Sequence, residues 1–415
     1  MSHMPRFARL LKIYLPFCDL ARALRWRILT HWHWWCTRRL GGHGFLPALR
    51  GFAFSTRSYF QRSRLPAEGE ASGYIPIDDA LYFAPPPPKT LGDNELATRL
   101  IPANLPLFAA QLCDARTYGD PGDVITADGI LLADVSYLNP SDLWSQRRKH
   151  PLIGSDPLPE PRHLKGTYAL LTAPFAGLNY FHWMFALLPR LAILERAGVN
   201  LANIDGYLIN RLHFVGLQQA MLRVVGITPE RIIEMDELDA FQPQALWVTS
   251  QLLTSGHRRR WLCDWLRKKF LVSLPPGRPS RRLYLSRADA SRRRVANEDE
   301  VLTFLEPLGF EKVVIACRPV FEQSTLFADA EIVVGPQTAG FANILFCSPG
   351  TRIIDMIPAR RYAVYFWELS ACMGLDYYYA MTEWVAPPYP PGAAKGDTIM
   401  RLDRLASILR HAGVT

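Results

Sequence analysis

The stretch Gly335-Pro336-Gln337-Thr338-Ala339-Gly340 lies between an apolar run, Glu331–Val334, and a second apolar run that opens at Phe341. A strand that ends in a glycine-containing turn and passes into a helix presents backbone N–H groups to an anion. The following strand, Arg352–Asp355, ends on a carboxylate placed to accept hydrogen bonds from ribose or sugar hydroxyls. Open α/β sheets bind ligands at the carboxyl ends of their strands. The local reading is therefore a phosphate-containing ligand, a nucleotide, in a Rossmann-like unit. A purely structural strand–helix turn carries the same glycines, so the turn does not decide alone.

These residues need a sheet to hold them. Short apolar strands at Gly129–Asp134, Thr167–Thr172, Gly206–Ile209, Arg231–Glu234 and Ala245–Val248 alternate with helical patterns at Phe181–Ala197, Val215–Val225 and His257–Val272. Such alternation predicts an α/β layer with a largely parallel sheet. Pro85–Pro88 reads as a rigid surface connector, and Leu274–Pro279 as an interdomain linker. A second α/β unit follows: strand Arg282–Ser286, helix Glu298–Leu308, strand Glu311–Ile315, helix Gln323–Ala328, then the turn segment. The tail adds a helix at Val364–Met373, an aromatic strand near Tyr377–Tyr379 and a terminal helix at Asp403–His411. The expected division is a basic helical extension over 1–65, a Rossmann-like acceptor unit over 66–273, and a Rossmann-like nucleotide-sugar unit over 274–415. The tail is expected to return to the first unit.

Three blocks between Tyr168 and Asp355 carry a resemblance to a known family. The first is Asn179-Tyr180-Phe181-His182-Trp183, continuing to Leu188-Pro189-Arg190-Leu191; the second is Arg282–Arg287 with Arg293-Arg294 and Asn297-Glu298. The third is Glu322-Gln323, Phe327-Ala328 and Gly335–Asp355. Their order and spacing resemble glycosyltransferase family 61, which includes bacterial capsule and lipopolysaccharide enzymes and eukaryotic xylosyl- and N-acetylglucosaminyltransferases. The resemblance implies a GT-B architecture and an inverting transfer from a nucleotide sugar to a surface-polysaccharide or glycolipid acceptor. Two positions depart from the family pattern. Family members usually carry His-Gly-Ala-Gly where this chain has Gln337-Thr338-Ala339-Gly340, and bacterial members an acid where this chain has Ala186. Both departures fit an alternative, a non-catalytic paralogue that binds sugar or a partner enzyme.

Glycosyl transfer must stabilise a leaving diphosphate, activate an acceptor hydroxyl and align the two. No Asp-x-Asp with suitable spacing is present, since Asp236-Glu237-Leu238-Asp239 is too long. Metal-free stabilisation then falls to cations, and no cofactor is expected beyond the nucleotide sugar as substrate. Arg287, at the end of its strand, and Arg294 are the candidates, because a guanidinium holds two phosphate oxygens at once. Gln337, Thr338, Ala339, Gly340, Asn343 and Asp355 complete the expected donor site. His182 is the candidate base, as a neutral imidazole takes a proton near pH 7. Asn179, Arg190 and Glu322 are expected at the acceptor cleft. The bland readings are a core histidine at His182, a capping residue at Glu322 and a solvated charge run at Arg292–Arg294.

Composition bounds the class. The 415 residues suit two domains plus an extension, and 49% hydrophobic content supplies material for two cores. The seven cysteines form no C-x-x-C pair, which argues for a reducing compartment and against a disulfide framework. The net charge is +9, yet residues 1–64 hold twelve Lys/Arg and one acid, Asp19. Trp26, Trp32, Trp34 and Trp35 lie in the same segment. Interleaved cations and indoles suit an anionic membrane surface, with the protein peripheral on the inner face of the plasma membrane. No nucleic-acid motif accompanies the basic patch, so nucleic acid is not expected as a partner.

Overall fold

The computed structural model describes residues 51–62, 73–78, 85–91, 96, 106–136, 152, 158, 160–252, 259–271, 277–316, 318–359, 363–387 and 396–414. The membrane reading of the basic extension falls on residues outside this set up to position 50, as do residues 274–276 of the expected linker. The described strands are β1 (Gly51–Ala53), β2 (Gly73–Asp78), β3 (Leu107–Cys113), β4 (Arg116–Tyr118), β5 (Asp123–Ile125), β6 (Ile130–Leu132), β7 (Arg162–Leu170), β8 (Gly206–Asn210), β9 (Ile232–Met235), β10 (Ala240–Thr249), β11 (Arg281–Leu285), β12 (Phe310–Val313), β13 (Ala330–Pro336), β14 (Arg352–Pro358), β15 (Asp376–Trp384) and β16 (Thr398–Ile399). They form a ten-stranded and a six-stranded sheet.

The second sheet runs β12-β11-β13-β14-β15-β16. Every neighbouring pair is parallel except β15–β16. The order reverses between β11 and β13, which creates a switch-point crevice at the carboxyl ends of these two strands. Side chains alternate cleanly. Leu283, Leu285, Val333, Ile353 and Ile357 enter one core, while Tyr284, Ile332, Val334, Ile354 and Met356 enter another. Burial on both faces explains why these strands read as continuous apolar runs. Gly335 is required where β13 passes β11, since a Cβ there would lie 2.6 Å from the Leu285 carbonyl oxygen.

The first sheet departs from the largely parallel layer expected. Strands β10-β7-β8-β9 are parallel, but β3 and β4 run antiparallel to β10. In the antiparallel flank the expected strand Gly129–Asp134 is found as β6, while β3, β4 and β5 were not foreseen; β4 and β5 have three residues each, too few for a period-2 signal. Positions 51–62, assigned to the extension, belong to the body. Strand β1 pairs with β6, and the backbone N and Oγ1 of Thr56 donate to Asp134 at 2.8 and 2.5 Å.

The two sheets share their largest core. Ala169, Leu171 and Ile209 of the first sheet and Leu283, Val333 and Ile353 of the second lie in one buried cluster. The tail meets both units: the helix Tyr365–Met373 sets Tyr365 and Phe366 against Phe181 of the first, whereas the terminal helix Leu402–His411 buries Leu405, Ile408 and Leu409 on the second sheet. The crossing segment is the Pro-rich connector. Lys89 N donates to Tyr377 O at 2.9 Å, Tyr379 N to Lys89 O at 3.1 Å, and Trp367 Nε1 to Pro86 O at 2.7 Å.

The expected helix Phe181–Ala197 is interrupted. An α turn at Tyr180–His182 passes into a π turn at Trp183–Leu187, and the α-helix resumes over Pro189–Arg196. Pro189 has no N–H and its ring crowds the carbonyl four residues back. The chain widens instead, so that Leu188 N bonds Trp183 O at 3.1 Å. Among the described residues no helix is long and apolar enough to cross a membrane.

Candidate functional site

Arg287 leaves β11 and Thr338 leaves β13, so the chain delivers both to the switch-point crevice. Arg287 Nη1 donates to Thr338 Oγ1 at 2.6 Å, and Nη2 donates to Arg292 O at 3.1 Å. The loop after β11 is anchored from below. Ser286 Oγ donates to Glu298 at 2.9 Å and accepts from Ala288 N at 3.1 Å, while Lys312 Nζ reaches Glu298 at 2.8 Å. Glu298 is thus a structural anchor rather than only a helix-start acid.

The turn after β13 has two faces. Thr338 and Ala339 are half-buried at the crevice, but Gln337 turns inward. Its Nε2 donates to Asp355 Oδ2 at 2.9 Å and to Ala363 O at 3.2 Å. Gly340 packs against Ile315, where a Cβ would meet a methyl carbon at 2.9 Å. The following segment, Ala339–Phe346, is a 3-10 helix rather than the expected α-helix.

Asp355 is fully buried, which removes it from the ribose contact expected of it. Its Oδ2 accepts from Gln337 and from Tyr377 Oη, the latter at 2.8 Å. Its Oδ1 has no hydrogen-bond partner. Burial pushes the carboxyl up to about 7, against the opposing pull of the Gln337 and Tyr377 hydrogen bonds. Asn343 is also fully buried and braces the loop instead of facing a donor. Its Nδ2 donates to Gln323 Oε1 at 2.8 Å and to Gly340 O at 3.2 Å; its Oδ1 accepts from Tyr180 Oη at 3.0 Å.

That last bond joins the two sheets and brings the His182 loop to the turn. Asn179 caps the short helix, accepting from Phe181 N at 2.9 Å. Half-buried His182 lies against the rings of Phe181 and Phe175, with centroids at 5.7 and 6.0 Å. Phe181 also stacks on Tyr365 and Phe366 at 5.3 and 5.5 Å, and Phe366 on Phe341 at 5.4 Å. Burial pushes the Tyr180 hydroxyl well up, so it stays a donor.

Three expected site residues lie elsewhere. Arg294 binds Asp397 through its backbone N at 3.0 Å and through Nη2 at 2.9 Å, fixing the β16 edge. Arg190 is buried rather than at an open cleft; Nε donates to Ala186 O at 3.0 Å, and burial lowers the guanidinium to about 10. Glu322 is exposed on the first turn of the helix Val320–Ala328, as a helix-start acid would be. Sequence reading missed Tyr180, Gln323 and Tyr377. The first lies inside a quoted block, yet nothing local distinguishes a bridging tyrosine from a core aromatic. Among the described residues no group of three or more His, Cys, Asp or Glu is arranged to hold a metal ion.

The model of the family described as Glycosyltransferase 61 matches residues 180–354, which span the His182 loop, the β11 exit and the Gly335–Gly340 turn. The chain is a glycosyltransferase. Its substrates are therefore a sugar donor and an acceptor. No curated protein matches the chain. The matched span begins at Tyr180 and ends at Ile354, so it covers both partners of the Tyr180–Asn343 bond.

Proposed function

We propose that the chain is an inverting, metal-independent transferase of GT-B type. It moves a sugar from a nucleotide donor to a surface-polysaccharide or lipid-linked glycan, on the inner face of the plasma membrane. The observation that carries the reading is the Arg287–Thr338 contact of 2.6 Å at the switch point of a 2-1-3-4-5 parallel sheet. A guanidinium oriented at that switch point can hold two diphosphate oxygens at once. Arg287, Thr338 and the Ala339 backbone hold the donor, and His182 takes the acceptor proton. The four parallel strands β10-β7-β8-β9 form the acceptor unit.

Calorimetric titration with nucleoside diphosphates in EDTA tests the donor site. Binding should persist, and Arg287→Ala should weaken it by about 1.5–3 kcal/mol. Binding abolished by EDTA, or unchanged in the variant, refutes the assignment. Transfer or donor hydrolysis by His182→Ala should fall by about 10²–10⁴-fold with nucleotide affinity retained. A wild-type protein that binds nucleotide and transfers nothing refutes the catalytic reading.

A further inference from the structure

The helix Arg260–Phe270 is wedged between the two units. Toward the first, Trp261 Nε1 donates to Asp78 Oδ2 at 2.7 Å and Trp265 Nε1 to Glu195 Oε2 at 2.6 Å. Toward the second, Arg267 Nη1 donates to the carbonyl oxygens of Leu345 and Cys347 at 2.6 and 2.9 Å, and Arg260 Nη1 to that of Cys372 at 3.3 Å. The last contact brings two sulfurs together. Cys263 is buried on this helix, and Cys372 is half-buried in the last turn of the helix Tyr365–Met373. Cys372 Sγ donates to Cys263 Sγ at 3.9 Å, across 109 residues of sequence.

This pair can exchange as well as pack. Cys372 reaches solvent and can meet a small molecule, whereas Cys263, at 2% exposure, cannot. Cys263 lies at the end of the first turn of its helix, where the N-terminal dipole favours an anion. Arg260, which also pairs with Asp264 at 2.9 Å, sets its charge near both sulfurs, and Arg267 sets its charge near Cys263. A nearby cation favours the thiolate, the form that attacks a disulfide. A disulfide needs its sulfurs at about 2.05 Å. The remaining approach of about 2 Å falls to side-chain rotation and to the end of the second helix, where Gly374 at φ 73° closes the last turn.

We propose that Cys263 and Cys372 form a reversible disulfide when the chain meets a small oxidised disulfide, and that this bond staples the helix Arg260–Phe270 to the helix that covers Phe181. The Cys372 thiolate attacks one sulfur of the small disulfide, whose S–S bond breaks and releases one small thiolate. The Cys263 thiolate then attacks Cys372 Sγ and expels the second. Two protein thiols are oxidised to one disulfide and one small disulfide is reduced to two thiols, the protons passing from the protein sulfurs to the leaving thiolates. In a reducing compartment the pair rests as thiols and the reaction reverses. The helix Tyr365–Met373 sets Tyr365 and Phe366 against Phe181, next to His182, so the staple fixes one wall of the His182 loop.

The test treats the full chain with oxidised glutathione and maps its peptides by mass without reduction. Wild type should show a cross-link between the peptides that hold Cys263 and Cys372, lighter by two hydrogens than their sum, and dithiothreitol should reverse it. Cys263→Ala should instead trap a glutathione adduct at Cys372, and Cys372→Ser should leave Cys263 unmodified. Thermal melting establishes that the variants are folded, and the wild-type map decides without them. Amide hydrogen exchange over Phe181–Leu187 should slow by about tenfold in oxidised wild type and be unchanged by the oxidant in Cys372→Ser. Adducts without the cross-link, or a cross-link to a different cysteine, overturn the disulfide. Unchanged exchange in cross-linked protein overturns the staple. None of these readings requires nucleotide or turnover, so failure here is separable from failure of the transferase assignment.

Discussion

Replacing Asp355 by Asn should make the protein more stable at neutral pH, although the residue sits at the centre of the second sheet. The carboxyl is fully buried, with Oδ2 accepting from Gln337 and Tyr377 and Oδ1 without a partner. No cation is among the groups that shift it; burial dominates and raises it from 3.8 to about 7. The folded state therefore holds this proton more tightly than the unfolded chain does. Its contribution is complete below about pH 4, falls as pH rises and is gone above about pH 7. At 1.36 kcal/mol per unit the full loss is about 4 kcal/mol, of which about 3 kcal/mol falls between pH 5 and pH 8. Asn keeps an oxygen for the Gln337 and Tyr377 donors and cannot ionise. Any fixed cost of its unpaired N–H groups is the same at every pH.

The measurement is urea unfolding of wild type and Asp355→Asn at pH 5, 6, 7 and 8, read by tryptophan fluorescence. The variant-minus-wild-type difference removes every other titrating group common to both proteins. That difference should grow in favour of the variant by about 3 kcal/mol from pH 5 to pH 8. A difference constant within about 0.5 kcal/mol would refute the reasoning, because it would mean that the carboxyl does not change ionisation in this range. A difference of the opposite sign would mean that a cation stabilises the carboxylate.

Gly335→Ala places a methyl 2.6 Å from the Leu285 carbonyl oxygen, so the urea midpoint should fall by the equivalent of about 1–3 kcal/mol and nucleotide binding should weaken with it. Arg294→Ala should lower stability by about 1 kcal/mol through loss of the Asp397 pair and leave nucleotide affinity within about twofold in calorimetry, contrary to a donor role. Pro189→Ala restores an N–H to the widened helix and should leave stability equal or higher, while turnover drops roughly 10²-fold as the π turn rewinds and His182 shifts.

The second sheet was legible because its strands are buried on both faces. Ile332–Val334 and Ile353-Ile354 have no polar alternation to blur them, and the turns between them carry Gly335, Pro349 and Gly350. The first sheet was half legible for the opposite reason. Helices after β7 and β8 set the period there, and β6 was legible within Gly129–Asp134, but β4 and β5, of three residues each, are too short to show one. At the site, strand ends were easier than side-chain directions. Arg287 and Thr338 could be placed from where strands stop. Asp355 could not, because the same position serves an exposed ribose contact or a buried carboxyl, depending on which neighbours cover it. Here Tyr377, one strand away, and Gln337, eighteen residues back, cover it. Arg294 failed similarly, since its partner Asp397 is 103 residues distant.

The inward and outward halves of the Gln337–Thr338 turn also limit how the site can move. Thr338 carries the Arg287 guanidinium into the crevice, while Gln337 is bonded to Asp355 below. Three residues beyond Gln337, Gly340 is tied through Asn343 to Tyr180, two residues from His182. Each link is polar and at least part-buried, and breaking a buried one without replacement costs about 1–3 kcal/mol. The crevice and the His182 loop therefore cannot separate by sliding on a dry apolar surface; they must first open the Tyr180–Asn343 bond and the Phe181–Phe366–Phe341 stack.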